Sequence, residues 1–349
     1  AVEGGDCLQH WRCSERILRS STDRARKIKC RQQLGHRLDE PSRWRPSANG
    51  IVQPLPNVAR FRPSPPKVAS MVSPSVADKR KTFWQLHETS CFVIPNPWNV
   101  GTARFLQGLG FKALATTSSG FAHAQGFADG DMTRDRVLAH YCEIAGAADV
   151  PVNADFENGF ADDPAGVMAN VRLCMDTGVA GLSIEDFTGD EADPLYDFDL
   201  AVERVRAARD AIDAGGGDVL LTGRSEGFIH GRPDINETIL RLKAYADAGA
   251  DCLYAPGIKT REQIEAVVKA VTPKPVNLLM SAAGFTVEEI TAMGVRRISV
   301  GGTLSRVAMQ AFISSAREIA EKGCFDSFSG VVSNAELNAF FHSDRARRD

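Results

Sequence analysis

The sequence predicts an α/β protein: eight βα units closed into a (β/α)8 barrel of the TIM type, behind an N-terminal extension. Three observations carry that expectation. A helix-closing glycine followed at once by a strand recurs along the chain. The helix starts carry regular caps. Short apolar runs end in carboxylate, amide or guanidinium groups, as buried parallel strands do when they deliver polar side chains to the mouth of a sheet.

Residues 1–70 stand apart. They carry 14 Lys+Arg against 6 Asp+Glu, cluster Pro54, Pro56, Pro63, Pro65 and Pro66, and show no sustained apolar period. The expectation is a disordered extension or a misassigned start, with residues 71–349 forming the barrel and its C-terminal helices. In that second part Leu109-Gly110-Phe111, Thr177-Gly178-Val179, Ala248-Gly249-Ala250 and Met293-Gly294-Val295 repeat the helix–glycine–strand junction. Glycine accepts the left-handed conformation that ends a helix. Asp163-Pro164 places a cap before a first-turn proline. Asp234 to Glu237, Thr260 to Gln263 and Thr286 to Glu289 have capping-box spacing.

Strands are expected near Phe92–Ile94, Ala113–Thr116, Val152–Asp155, Gly181–Glu185, Val219–Thr222, Cys252–Ala255, Val276–Leu279 and Arg297–Val300, with a final helix over Thr303–Lys322. Eight units over roughly 240 residues match a barrel. The rival is a doubly wound open sheet. It wants a Gly-rich turn after its first strand, whereas Gly108 and Gly110 precede one.

Charge and composition exclude several classes. Outside residues 1–70 the chain has 27 Lys+Arg against 38 Asp+Glu, an acidic body that argues against nucleic acid as a partner. No apolar run approaches a membrane span. The eight cysteines show no C-x-x-C spacing; Cys91, Cys142, Cys174 and Cys252 sit in apolar settings and read as core residues in a reducing, cytoplasmic compartment.

Barrel chemistry sits at the C-terminal ends of strands. Those ends supply Asn96 and Trp98; Ser119, Gly120, His123 and Asp129; Asn153, Asp155 and Glu157; Glu185 and Asp186; Arg224 and Glu226. The set is oxygen-rich around one arginine. Hard oxygen donors suit Mg2+ or Mn2+ rather than zinc, and an arginine can clamp a carboxylate through two parallel hydrogen bonds. The plain alternative is a network of caps and salt bridges.

At these residues the chain resembles the isocitrate lyase / phosphoenolpyruvate mutase superfamily, from about Phe92 to Phe341. Ser119-Gly120 is similar to the family's S-G motif, Asp129 to its loop aspartate, Asn153-Ala154-Asp155 to its D-x-D, Glu185-Asp186 to its E-D, and Gly223-Arg224-Ser225-Glu226 to its A-R-x-[DE]. The resemblance implies a Mg2+-dependent barrel that makes or breaks C–C or P–C bonds beside an α-oxo or α-hydroxy carboxylate. It implies metal ligation by Asp155, Glu185 and Asn153, catalytic roles for Arg224, Asp129 and Glu185, and substrate binding by Ser119, Gly120, Arg224 and Asn96. It also implies a homo-oligomer, dimer or tetramer, that exchanges its C-terminal helix.

Two departures shape the functional expectation. Asn153 stands where the family has an aspartate, and the loop Phe187–Asp197 holds none of the Cys, His or Lys of the lyases' K-[KR]-C-G-H. The expected function is a Mg2+-dependent C–C lyase acting on a small carboxylate through an enolate-type intermediate. The alternatives are a phosphonate mutase or hydrolase, an oxaloacetate decarboxylase-like enzyme, and a carboxylate-binding barrel without turnover.

Overall fold

A computed structural model describes residues 73–348. The expectation for residues 1–70 lies outside them. The strands are β1 (Phe92–Ile94), β2 (Leu114–Ala115), β3 (Val152–Ala154), β4 (Gly181–Glu185), β5 (Leu220–Arg224), β6 (Cys252–Tyr254), β7 (Val276–Leu279) and β8 (Arg297–Ser299). The helices are α1 (Val76–Thr89), α2 (Val100–Gly108), α3 (Ser118–Ala124), α4 (Arg134–Ala147), α5 (Pro164–Asp176), α6 (Phe198–Ala214), α7 (Ile235–Asp247), α8 (Arg261–Val271), α9 (Val287–Ala292), α10 (Thr303–Lys322) and α11 (Asn334–Ala346).

All strands pair in parallel, in the order β1-β8-β7-β6-β5-β4-β3-β2. The remaining edges meet where Ala115 N–H donates to Pro95 O at 3.1 Å. The fold is therefore the expected barrel. An open doubly wound sheet would not bring its first and last strands into register, as Phe92 and Arg297 are here.

The sequence signals act as physics requires. Gly110, Gly178, Gly249 and Gly294 all have positive φ, between 84° and 105°, at helix ends. Asp163 caps α5 by accepting from Gly166 N–H, and reciprocal capping boxes start α8 at Thr260 and α9 at Thr286. At Asp234 the cap is one-sided: its carboxylate accepts from Asn236 and Glu237 N–H, while its own N–H donates to Arg232 O rather than to the Glu237 side chain. Along each strand alternate residues face outward to the helices, where Val152, Leu182, Ile184, Leu221, Leu253, Leu278 and Ile298 join one buried apolar cluster.

The inward residues divide by depth. A second cluster of Phe83, Phe92, Ile94, Ala113, Ala115, Ala180, Leu220 and Cys252 fills the lower barrel, and Phe83 belongs to α1. That helix plugs the N-terminal end: Trp84 donates to Asp218 O, and Arg80 to Val179 O and the Asp218 carboxylate, just before β4 and β5, and to Met175 O in the last turn of α5. Gly181 is glycine because this plug is tight. A Cβ there would stand 2.6 Å from Phe83 and 2.8 Å from Asn153 Oδ1.

The C-terminal helices behave differently from one another. In α11, Phe340 packs on Phe105 with ring centroids 4.8 Å apart, and Asp344 takes Arg104 through two bonds of 2.8 and 2.6 Å. In α10 only Ser305 is buried, while Val307 and Phe312 are 62% and 67% exposed. Phe325, Phe328, Val331 and Val332, which follow α10 in the chain, are exposed as well. Among the described residues no helix is long and apolar enough to cross a membrane.

Candidate active site

A cavity of about 170 Å³ opens at the C-terminal ends of the strands. Of the residues expected to form a site, Asn96, Ser119, Asp129, Asn153, Asp155 and Arg224 line it. Glu185 and Gly120 do not. Glu185 reaches the site through Arg224, and Gly120 lies behind Thr117.

Arg224 is the hub. Nη1 pairs with Asp155 Oδ1, Nη2 with Glu185 Oε2 at 2.9 Å, and Nε with Glu226 Oε1 at 2.8 Å. Its guanidinium carbon lies 5.1 Å from the Tyr254 ring centroid. Three adjacent strand ends produce this arrangement, since β4 pairs Glu185 directly with Arg224 and β5 pairs Arg224 with Tyr254. The carboxylates that this arginine clamps are the protein's own.

The carboxylates outnumber the cation. Burial raises the Glu185 and Glu226 pKa values, with Arg224 opposing. Glu157 is pushed up to about 8 by burial and by Asp155 and Asp129. Asp129 is raised by burial, against a hydrogen bond from Ser118. Burial works against the charge on Arg224, but Glu185, Glu226 and Asp155 together hold it well above its ordinary value. Glu157 sits at φ 47°, a left-handed conformation uncommon outside glycine.

Asp155 is fixed from several sides. Its Oδ2 accepts from Ser118 N–H at 3.0 Å, its N–H donates to Thr116 Oγ1 at 2.9 Å, and its carbonyl accepts from Tyr141 OH. Thr117 caps α3 by accepting from Gly120 N–H at 3.3 Å, so that N–H serves the helix. Ser119 Oγ lies 3.2 Å from Thr117 Oγ1 and faces the cavity. A Cβ on Gly302 would stand 2.4 Å from Ser119 Oγ, so glycine there admits the hydroxyl. Asn96 braces the rim: Nδ2 donates to Thr116 O at 2.8 Å and Oδ1 accepts from Val300 N–H at 3.0 Å. Asn153 Nδ2 donates to Ala154 O at 3.1 Å, while its buried Oδ1 has no hydrogen-bond partner.

Of the other strand-end residues, His123 is exposed. Tyr196, in the loop after β4, is held in place: its hydroxyl donates to Asp162 at 2.6 Å and Arg204 stacks 3.9 Å over its ring. The floor of the cavity holds polar residues that strand-end reading missed, namely Asn277, Ser299 and Arg297. Their signal was the lone polar Asn277 inside apolar β7 and the alternation of Arg297 and Ser299 on β8. Among the described residues no three His, Cys, Asp or Glu side chains converge to hold a metal ion.

A family profile described as phosphoenolpyruvate phosphomutase matches residues 83–320. The chain belongs to the isocitrate lyase / phosphoenolpyruvate mutase superfamily. A solved structure from Burkholderia cenocepacia J2315, provisionally described as a lyase/mutase, superposes with a TM-score of 0.74 at 44% identity over 76% of this chain and 97% of that one. An oxaloacetate decarboxylase of Paraburkholderia xenovorans is 30% identical over 251 residues, covering 68% of this chain and 80% of its own. The structure of an oxaloacetate acetylhydrolase bound to its product oxalate matches with a TM-score of 0.69 at 25% identity, over 77% of this chain and 96% of that one. Superfamily membership makes chemistry on small carboxylates plausible for this barrel.

Proposed function

We propose that this protein is a divalent-metal-dependent enzyme that cleaves a C–C bond in a small dicarboxylate of the oxaloacetate class through an enolate-type intermediate. The observation that carries this reading is the cluster of three carboxylates around the single guanidinium of Arg224, beside a cavity of about 170 Å³. Such a volume suits an acid of a few carbons. The two relatives named for oxaloacetate support the substrate class.

The residues present fit a hard dication in kind. Asp155 and Glu185 are oxygen donors, and Asn153 Oδ1 is a buried acceptor left without a partner. Carboxylates whose pKa values are raised by burial and by one another gain from an added cation. Asp155, Glu185 and Asn153 would hold Mg2+ or Mn2+. The ion would supply Lewis-acid stabilisation of a developing oxyanion. Arg224 orients the carboxylate cluster that faces the ligand. Ser119 presents a hydroxyl to the cavity, and Asn96 keeps the rim in place. Asp129 is the cavity-lining carboxyl without an ion pair among the described residues, which suits it to proton transfer. The exposed apolar face of α10 supports burial against a second copy of the chain, as in a dimer or tetramer with exchanged helices.

The test is consumption of oxaloacetate by EDTA-stripped protein with and without added Mg2+ or Mn2+, with product analysis. Pyruvate with CO2 identifies decarboxylation; oxalate with acetate identifies hydrolytic cleavage. Failure to turn over oxaloacetate, 2-methyl-substituted malates or phosphonopyruvate under any metal condition refutes the enzymatic reading and leaves a carboxylate-binding barrel.

A further inference from the structure

Two arginines line the cavity, and they differ in their company. Arg224 is surrounded by three carboxylates. Arg297, which enters the lumen from β8, is only 3% exposed and makes no ion pair among the described residues. Its partners are all neutral: Nε donates to Asn277 Oδ1 at 2.9 Å, Nη2 to Thr222 Oγ1 at 3.1 Å, and Nη1 lies 3.4 Å from His87 Nε2. His87 Nδ1 lies 2.8 Å from Phe83 O, which as a carbonyl can only accept, so Nδ1 carries the proton and Nε2 is the acceptor.

A buried guanidinium without a counter-charge is costly unless something compensates it. The three partners satisfy hydrogen bonds but leave the charge. Asn277 extends the arrangement: with its Oδ1 committed to Arg297, its Nδ2 donates to Ser299 Oγ at 2.9 Å. Ser299 thus keeps its own proton for donation, and its hydroxyl also meets Tyr254 at the cavity wall. Arg297, Asn277 and Ser299 all line the cavity. The floor is thus a cation with ordered donors, while the rim carries the excess carboxylates.

We propose that Arg297 is a specificity-determining residue that selects ligands bringing a carboxylate to the floor of the cavity. The anion supplies the counter-charge that the protein omits, and Asn277 and Ser299 orient it. Arg224 is already neutralised by its own carboxylates and does not set this preference. The inference rests on the small-acid reading of the site but not on turnover.

The experiment uses the full chain stripped with EDTA, titrated calorimetrically with malonate and, in parallel, with its neutral analogue malonamide. Wild type is expected to bind malonate and not malonamide. Arg297→Met is expected to weaken malonate binding by roughly tenfold to a hundredfold, the range of a charge-assisted hydrogen bond. Arg297→Lys, which keeps the charge, is expected to lose less. A structural role alone would not move the preference for the anion over the amide. Equal malonate affinity in wild type and Arg297→Met, equal binding of malonamide, or no malonate binding to wild type overturns the proposal. Should Arg297→Met fail to fold, a malonate-soaked crystal of the wild type decides. Carboxylate oxygens within hydrogen-bond distance of Arg297 support it; density confined to other residues, or none, overturns it. Oxaloacetate turnover is scored separately. Turnover without Arg297-dependent malonate binding sinks this inference alone, and the converse sinks the proposed reaction alone.

Discussion

His87 offers a quantitative test of how the lower barrel is held. It is 7% exposed, in edge contact with Phe83 and Phe92 at centroid distances of 4.7 and 5.1 Å, and close to Arg297. Burial, with Arg297 beside it, depresses its pKa from 6.5 to about 3. The folded state therefore binds fewer protons at this site than the unfolded state between those values. Stability from this group is complete above the unfolded pKa and is lost as pH falls toward the folded one. At pH 4.5 the loss spans two pH units, which at 1.36 kcal/mol each is about 2.7 kcal/mol. His87→Gln removes the titration. It also removes the bond to Phe83 O and the edge contacts, costing about 1 kcal/mol at neutral pH. The variant should be less stable than wild type at pH 7.5 and more stable at pH 4.5, with the curves crossing at about pH 6. Urea midpoints of both proteins across that range, in EDTA, measure this. A wild-type-minus-variant difference that does not change with pH would refute the argument that His87 stays neutral in the fold. His140, depressed to about 4 by burial, titrates in both proteins and cancels from the difference.

Three further perturbations follow from the site and the plug. Asp155→Ala and Glu185→Ala should each abolish the rise in melting temperature on adding Mg2+ while leaving the metal-free fold, because Arg224 keeps two carboxylate partners in either case; full retention of the rise in both would remove them from the metal. Gly181→Ala should cost about 2–3 kcal/mol by overpacking, since the new Cβ would meet Phe83 at 2.6 Å and Leu220 O at 3.0 Å; an unchanged urea midpoint would show that α1 does not seal the barrel tightly. Asn153→Asp should lower metal-free stability by about 2 kcal/mol or more, because a buried carboxylate replaces the amide that donates to Ala154 O, and Mg2+ should restore part of that loss. Equal Mg2+ affinity of wild type and Asn153→Asp by calorimetry would place Asn153 outside the ion's reach.

What was legible in the sequence was whatever the local chain dictates. Gly178 must turn with positive φ because the helix ends there and a strand begins three residues later, and Asp163-Pro164 can hardly do anything but start a helix. The strand-end groups were legible for a related reason: Asp155, Glu185 and Arg224 interrupt apolar runs, so they had to leave the core together. Their pairing was not legible. Whether a carboxylate meets an ion or an arginine depends on the lateral register of strands far apart in sequence, and it is the register of β4 against β5 that sets Glu185 beside Arg224. The plug formed by α1 was not legible because its capping box, Ser75 with Asp78, directly follows the basic, proline-rich segment, and nothing local says that the helix seals a barrel. Arg297 escaped for the most instructive reason. On β8 it reads as one basic residue after another, Arg296-Arg297, at the start of a strand rather than at its C-terminal end. Only the alternation Arg297, Ile298, Ser299 against Asn277, Leu278, Leu279 separates lumen from exterior. That period shows which residues turn inward, but the neutrality of every partner around Arg297 emerges only when β5, β7 and α1 converge on it. The unpaired charge is thus a property of closure, and closure is the step at which a barrel acquires an interior able to recognise anything.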